Sequence, residues 1–105
     1  LSQRIVHFHG GNGTLEMAYT PGEPGAVLFG YGLPQLEAGQ VYEIWTITNN
    51  RPVSAACAPS AGGKLTASLG ADVEKVELMA VTVEDASCPS APTSAPILTA
   101  PVNLA

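Results

Sequence analysis

Two histidines, two cysteines and a few carboxylates beside a lone tryptophan are the residues of this 105-residue chain that could do chemistry. His7 and His9 stand two apart, so in one extended strand both rings project from the same face. Such a pair can begin a metal site, with Met17, Met79 or a cysteine to complete it. A blue-copper centre needs a Cys closely followed by His and Met, and no His follows either cysteine. The plainer reading is therefore preferred, with no metal bound and both imidazoles on a solvent-facing or rim surface near the first turn. Hydrolysis lacks its parts, since there is no G-x-S-x-G elbow and no further His to act as base. Glu84 and Asp85 are adjacent and point to opposite faces or into a loop. Gly10 to Gly13 lacks the lysine and helix that a phosphate cradle requires. No catalytic residues and no cofactor are expected.

Glu43 shares a strand face with Trp45 and is expected at a sheet margin, paired with a lysine or arginine. Aromatic faces bind sugars and peptides, so Trp45 and Tyr42 could form a ligand platform. The chain has only six aromatics, however, and a lone Trp in mid-strand serves as core filler. Trp45 is read as buried, while Tyr42 stays open between the two roles. Cys57 and Cys88 fit no zinc spacing. One disulfide and two reduced thiols both remain open on the residues alone.

Composition narrows what must position these groups. The apolar share is 46% and the charged share 12%, a globular balance with few charges. Gly 11 and Pro 9 leave little room for long helices and suit short strands joined by turns. The net charge of −5 excludes nucleic-acid binding by general electrostatics. No apolar run approaches the ~20 residues that span a bilayer. The start at Leu1, with no signal-peptide pattern, reads as a piece of a longer chain.

Strand-like periodicity runs almost throughout. Strands are expected at Arg4 to Phe8, Thr14 to Thr20, Ala26 to Tyr31, Val41 to Thr48, Val53 to Ala58, Lys64 to Leu69, Val76 to Glu84 and Pro96 to Thr99. Asn49-Asn50 is a hairpin turn, because Asn tolerates positive φ. Ala71 to Lys75 allows one helical turn. The strand ending at Glu84 has a continuous apolar centre, as a strand buried on both faces would. Residues 86–96 form an extended loop in which Pro89, Pro92 and Pro96 favour polyproline-like conformations. Asn103 to Ala105 is expected to fray. About seven to eight short strands at this spacing predict an all-β, antiparallel, immunoglobulin-like sandwich. The expected core includes Val27, Phe29, Ile44, Val53, Leu65, Leu69, Leu78, Ala80 and Val81.

Gly32 to Ala55 reads G-L-P-Q-L-E-A-G-Q-V-Y-E-I-W-T-I-T-N-N-R-P-V-S-A. This run closely resembles the extracytoplasmic C-terminal domain of anti-sigma factors of the anti-sigma-K type. In that family a G-L-P-x-L-x-x-G loop leads into a V-Y-x-x-W strand, then a turn and a P-V-S-A strand. The matching positions are Gly32, Leu33, Pro34, Leu36, Gly39, Val41, Tyr42, Trp45, Pro52, Val53, Ser54 and Ala55. The A-V-T-V-E at Ala80 to Glu84 and the P-I-L at Pro96 to Leu98 are similar too, so the likeness runs from about Arg4 to Ala100. Ala56, Cys57 and Ala58 depart from the family's G-T-F-like step, and the cysteine pair lies outside its pattern.

The resemblance implies a single extracytoplasmic domain over 1–105, with its core at about 4–100, on the outer side of the bacterial plasma membrane. It would be a non-catalytic sensor or regulatory domain of a membrane-tethered anti-sigma factor, controlling transcription through regulated proteolysis. A sigma factor would be held only by a cytosolic segment outside this chain, and the membrane met only by a helix outside it. A protease or cell-envelope protein is the implied partner of the domain itself. An oxidising location lets a Cys57–Cys88 bridge persist and favours it. The alternative is a stand-alone cell-surface sandwich that binds a protein, peptide or glycan through a sheet edge or loop.

Overall fold

In the computed structural model, which describes residues 2–103, alternating residues build nine strands. They are β1 (Arg4–His7), β2 (His9–Gly10), β3 (Thr14–Tyr19), β4 (Ala26–Tyr31), β5 (Gln40–Thr48), β6 (Arg51–Ala58), β7 (Leu65–Leu69), β8 (Leu78–Asp85) and β9 (Leu98–Pro101). A 3-10 turn at Val73–Lys75 leads towards β8. All ladders are antiparallel and form two sheets, β1-β3-β4-β7 and β2-β9-β8-β5-β6. The expected antiparallel all-β sandwich is the fold observed.

The core lies between the sheets because period-two alternation turns one apolar row of each strand inward. Leu15 and Met17 of β3, Leu28 of β4 and Leu65 of β7 meet Tyr42 and Ile44 of β5, Met79 and Val81 of β8, and Leu98 of β9. Burying each large side chain contributes about 1.5–3 kcal/mol. Asn49 (φ 53) and Asn50 (φ 59) make the two-residue turn between β5 and β6. Their left-handed backbone matches the twist of the flanking strands. Gly13 (φ 95) is needed for a second reason, since a Cβ there would stand 2.7 Å from the Gly32 carbonyl oxygen.

Three expected core residues point outward. Val27 and Phe29 lie on the exposed side of β4, with Ile5 and Tyr31 exposed beside them. The run A-V-L-F-G-Y carries no polar residue to mark its outer face, and the fold turns Ala26, Leu28 and Gly30 inward. Gly30 leaves the space that Leu15 and Leu33 fill, and a Cβ there would meet the Thr14 carbonyl oxygen at 2.6 Å. Val53 is exposed near the hairpin turn of edge strand β6. Leu78 is half-buried at the start of β8, whereas Ile44, Leu65, Leu69, Ala80 and Val81 are buried.

The first expected strand breaks at Phe8, whose side chain turns inward as the chain passes from one sheet to the other. The last strand begins at Leu98 rather than Pro96. Of the expected fraying end, Asn103 donates its amide to the Glu74 carbonyl, and 104–105 lie outside the described residues.

Candidate functional site

The outer face of the five-stranded sheet is the unusual surface. Register places Val41 opposite Glu84, Glu43 opposite Thr82 and Trp45 opposite Ala80, with Cys57 across from Glu43 on β6. Tyr42, Ile44 and Val81, one residue out of phase, belong to the core between the sheets. The row bearing Trp45 therefore faces away from the second sheet. Such a face is ordinarily wet, yet Trp45, Glu43 and Thr82 are 0% exposed and Glu84 is 2% exposed. Trp45, Val41 and Ala80 are buried outside the main core cluster, so this row is a second, smaller buried layer.

Residues 86–97 form a roof fastened to that face at Glu84 and at Cys57. The Ala86 N–H donates to the Gly39 carbonyl, and the Cys88 N–H to the Asp85 carbonyl, so the chain turns sharply after β8. Cys88 has φ 57 and is disulfide-bonded to Cys57, with the Cα atoms 6.2 Å apart. Strand β6, which carries Cys57, is separated from β8 by β5, and the turn after β8 reaches over β5 to make the bond. The segment then returns to β8, where the Ile97 N–H donates to the Val81 carbonyl.

A chain of hydrogen bonds ties roof to floor. Trp45 Nε1 donates to Thr82 Oγ1 at 2.8 Å, and the Thr82 hydroxyl donates to Glu84 Oε2 at 2.7 Å. The Thr93 N–H lies 3.2 and 3.1 Å from the two Glu84 oxygens, and the Thr93 hydroxyl donates to Oε1. The Ser94 hydroxyl sits 2.7 Å from the Val83 carbonyl oxygen and 3.3 Å from Glu84 Oε2. Burial opposes ionisation of Glu84, but the donors on Thr82, Thr93 and Ser94 outweigh it and hold its carboxyl below the usual range.

Glu43 is not at a sheet margin and, among the described residues, has no basic partner. Ser54 Oγ donates to its Oε2, while Oε1 is buried with no hydrogen-bond partner. Among the described residues the ion pairs are His7–Glu16 and Lys75–Asp72. The roof, rather than a lysine or arginine, keeps Glu43 from water.

The sequence profile described as anti-sigma-K factor RskA, C-terminal, matches residues 1–97. The chain belongs to the RskA C-terminal family. No curated protein and no solved structure matches it significantly. In this RskA C-terminal domain Tyr42 is buried, and its hydroxyl donates to the Pro34 carbonyl, fastening the G-L-P loop to β5. Burial pushes the Tyr42 phenol up. Leu33 is buried, Leu36 is half-buried against the core, and Gly32 (φ 68) and Gly39 (φ 83) make the bends at either end of the loop.

His7 and His9 do not share a face, since the break at Phe8 puts them in different sheets. Both are exposed, and His7 Nδ1 lies 3.7 Å from Glu16. Among the described residues no three His, Cys, Asp or Glu side chains gather as a ligand set. The hydrogen-bonding roles of Ser54, Thr82, Thr93 and Ser94 were not legible in the sequence. The signal was Thr82 and Glu84, two polar residues on one face of a strand already read as buried.

Proposed function

We propose that this domain is the non-catalytic outer sensor and regulatory part of a membrane-tethered anti-sigma factor, controlling sigma-dependent transcription through regulated proteolysis. It sits as one domain on the extracytoplasmic side of the bacterial plasma membrane. A cytosolic segment outside this chain binds the sigma factor, and a membrane helix outside it supplies the tether. The family match over residues 1–97 carries this reading. A Cys57–Cys88 bond suits an oxidising compartment. Short connections and a roof fastened at both ends offer a protease few extended stretches, which suits a domain whose folded state protects the whole protein. A signal that loosens that state would permit cleavage.

Intact cells bearing the full-length protein with a C-terminal epitope tag test the reading. Added protease should remove the tag without lysis, and deletion of residues 4–100 should change sigma-dependent reporter output. A tag protected until lysis, or unchanged output, would contradict it.

A second reading is a stand-alone cell-surface module that binds a protein, peptide or glycan partner. Ile5, Val27, Phe29 and Tyr31, exposed together on the outer face of the four-stranded sheet, favour it. A full-length sequence with extracellular modules and no membrane helix would select it.

A further inference from the structure

Polar contacts and one disulfide, rather than apolar packing, hold the roof. Residues 86–96 contain no aliphatic side chain larger than proline, so their burial contributes little to holding them down. Their ties are the Cys57–Cys88 bond, the turn hydrogen bonds to Gly39 and Asp85, the donors that converge on Glu84 and the Ser94 hydroxyl on the Val83 carbonyl. The disulfide belongs to no ladder. β6 is paired along β5, and β8 lies between β5 and β9, so both keep their main-chain partners if the sulfurs part.

We propose that residues 86–96 form a strap with a redox latch: reduction of Cys57–Cys88 by a dithiol lifts the strap and exposes Trp45 and Glu43 while both sheets stay paired. This inference does not rest on the regulatory reading above.

Both cysteines are half-buried rather than enclosed, so a dithiol reaches the sulfur pair from solvent. One thiolate of the dithiol attacks a protein sulfur, forming a mixed disulfide and releasing the other cysteine as a thiolate. Its second thiolate then displaces the protein sulfur. Two electrons pass to the protein, Cys57 and Cys88 take up two protons as thiols, and the dithiol leaves as its own disulfide.

The balance between closed and open depends on this bond. Opening exposes the Trp45 indole and breaks the contacts to Glu84, which favours the closed strap. Opening also solvates Glu43 Oε1, which has no partner under the roof, and frees the backbone of the loop. With the sulfurs joined that freedom is withheld, because the strap stays anchored on β6. With them reduced, only hydrogen bonds, to Glu84, Val83, Gly39 and Asp85, hold the loop against its own entropy.

Trp45 is the chain's single tryptophan, is fully buried and is joined to the strap through Thr82 and Glu84, so its fluorescence reports the opening. The oxidised chain should give blue-shifted emission shielded from acrylamide. Adding dithiothreitol at neutral pH should shift emission to the red and raise quenching towards that of the urea-unfolded chain, with the far-ultraviolet β-sheet spectrum kept. Reoxidation should reverse the change, and a Cys57→Ser/Cys88→Ser variant should match the reduced chain. An oxidised Thr93→Val/Ser94→Ala variant should stay shielded, because the latch is intact. Trp45 still shielded after reduction, or loss of the sheet spectrum together with exposure, would overturn the proposal.

Discussion

Thr93 gives both its backbone N–H and its hydroxyl to Glu84, a carboxylate buried nine residues earlier on the central strand β8. Through this contact a loop of small residues and prolines finds a fixed place over an apolar and acidic sheet face. Glu84 in turn accepts from Thr82, whose hydroxyl receives the Trp45 N–H.

Stability should fall in acid because of Glu84. Its carboxyl is held below its unfolded value, so it contributes stability above the ordinary carboxylate range, and that contribution is lost as pH falls through the depressed folded value. Thermal melts taken downward from about pH 5 should therefore lose Tm. Glu84→Gln should flatten that decline and lower stability at neutral pH by about 1–3 kcal/mol. An unchanged acid limb in the variant would assign the decline to other carboxylates.

Thr82→Val keeps the side-chain shape and removes both an acceptor and a donor from the chain of hydrogen bonds. The buried Trp45 N–H is left without its partner, so urea titration should show a loss of about 1–3 kcal/mol. Trp45→Phe in the same background should add less than it does alone, since the partner it would orphan is already gone.

Gly13→Ala puts a Cβ 2.7 Å from the Gly32 carbonyl oxygen at a backbone angle of φ 95. A loss of about 1–3 kcal/mol or more should follow. Gly22 (φ 87) has nothing within 4 Å of its virtual Cβ, so Gly22→Ala should carry only the conformational penalty and the smaller loss. Equal melting temperatures for the two variants would mean that the close approach to Gly32 relaxes at no cost.

Thiol titration of fresh, denatured protein should find no free cysteine. The Cys57–Cys88 bond has a sequence separation of 31, which in the chain-entropy treatment stabilises by about 3–4 kcal/mol. Reduction should lower Tm correspondingly and leave a folded chain, because domains of this size have about 5–15 kcal/mol of stability. Two free thiols in fresh protein would remove the basis of the latch.

Most strands could be read from alternation and turn chemistry, because Asn49-Asn50, Pro21-Gly22 and Gly10 to Gly13 punctuate the chain where the fold turns. Facing was harder. The run from Ala26 to Tyr31 is apolar on both sides, so nothing local says that Phe29 faces water and Gly30 the core. Trp45 was read as buried, and it is, but beneath a loop rather than between the sheets. That cover comes from residues more than forty positions later, joined by a disulfide that reaches across β5. Glu43 was misplaced for the same reason, since an acidic residue on an outer sheet face is expected to be wet until something roofs it.

In the proposed function the folded domain keeps a full-length anti-sigma factor intact. Leu28→Ala, at a fully buried core position, should destabilise by about 2–5 kcal/mol. Combined with Gly13→Ala, it should unfold the domain in cells, which trypsin sensitivity would register. An immunoblot of the full-length protein carrying both substitutions is then the most direct measurement. A shortened fragment should replace the intact band, together with raised sigma-dependent reporter output. An intact band and a silent reporter, with the domain shown to be trypsin-sensitive, would contradict it.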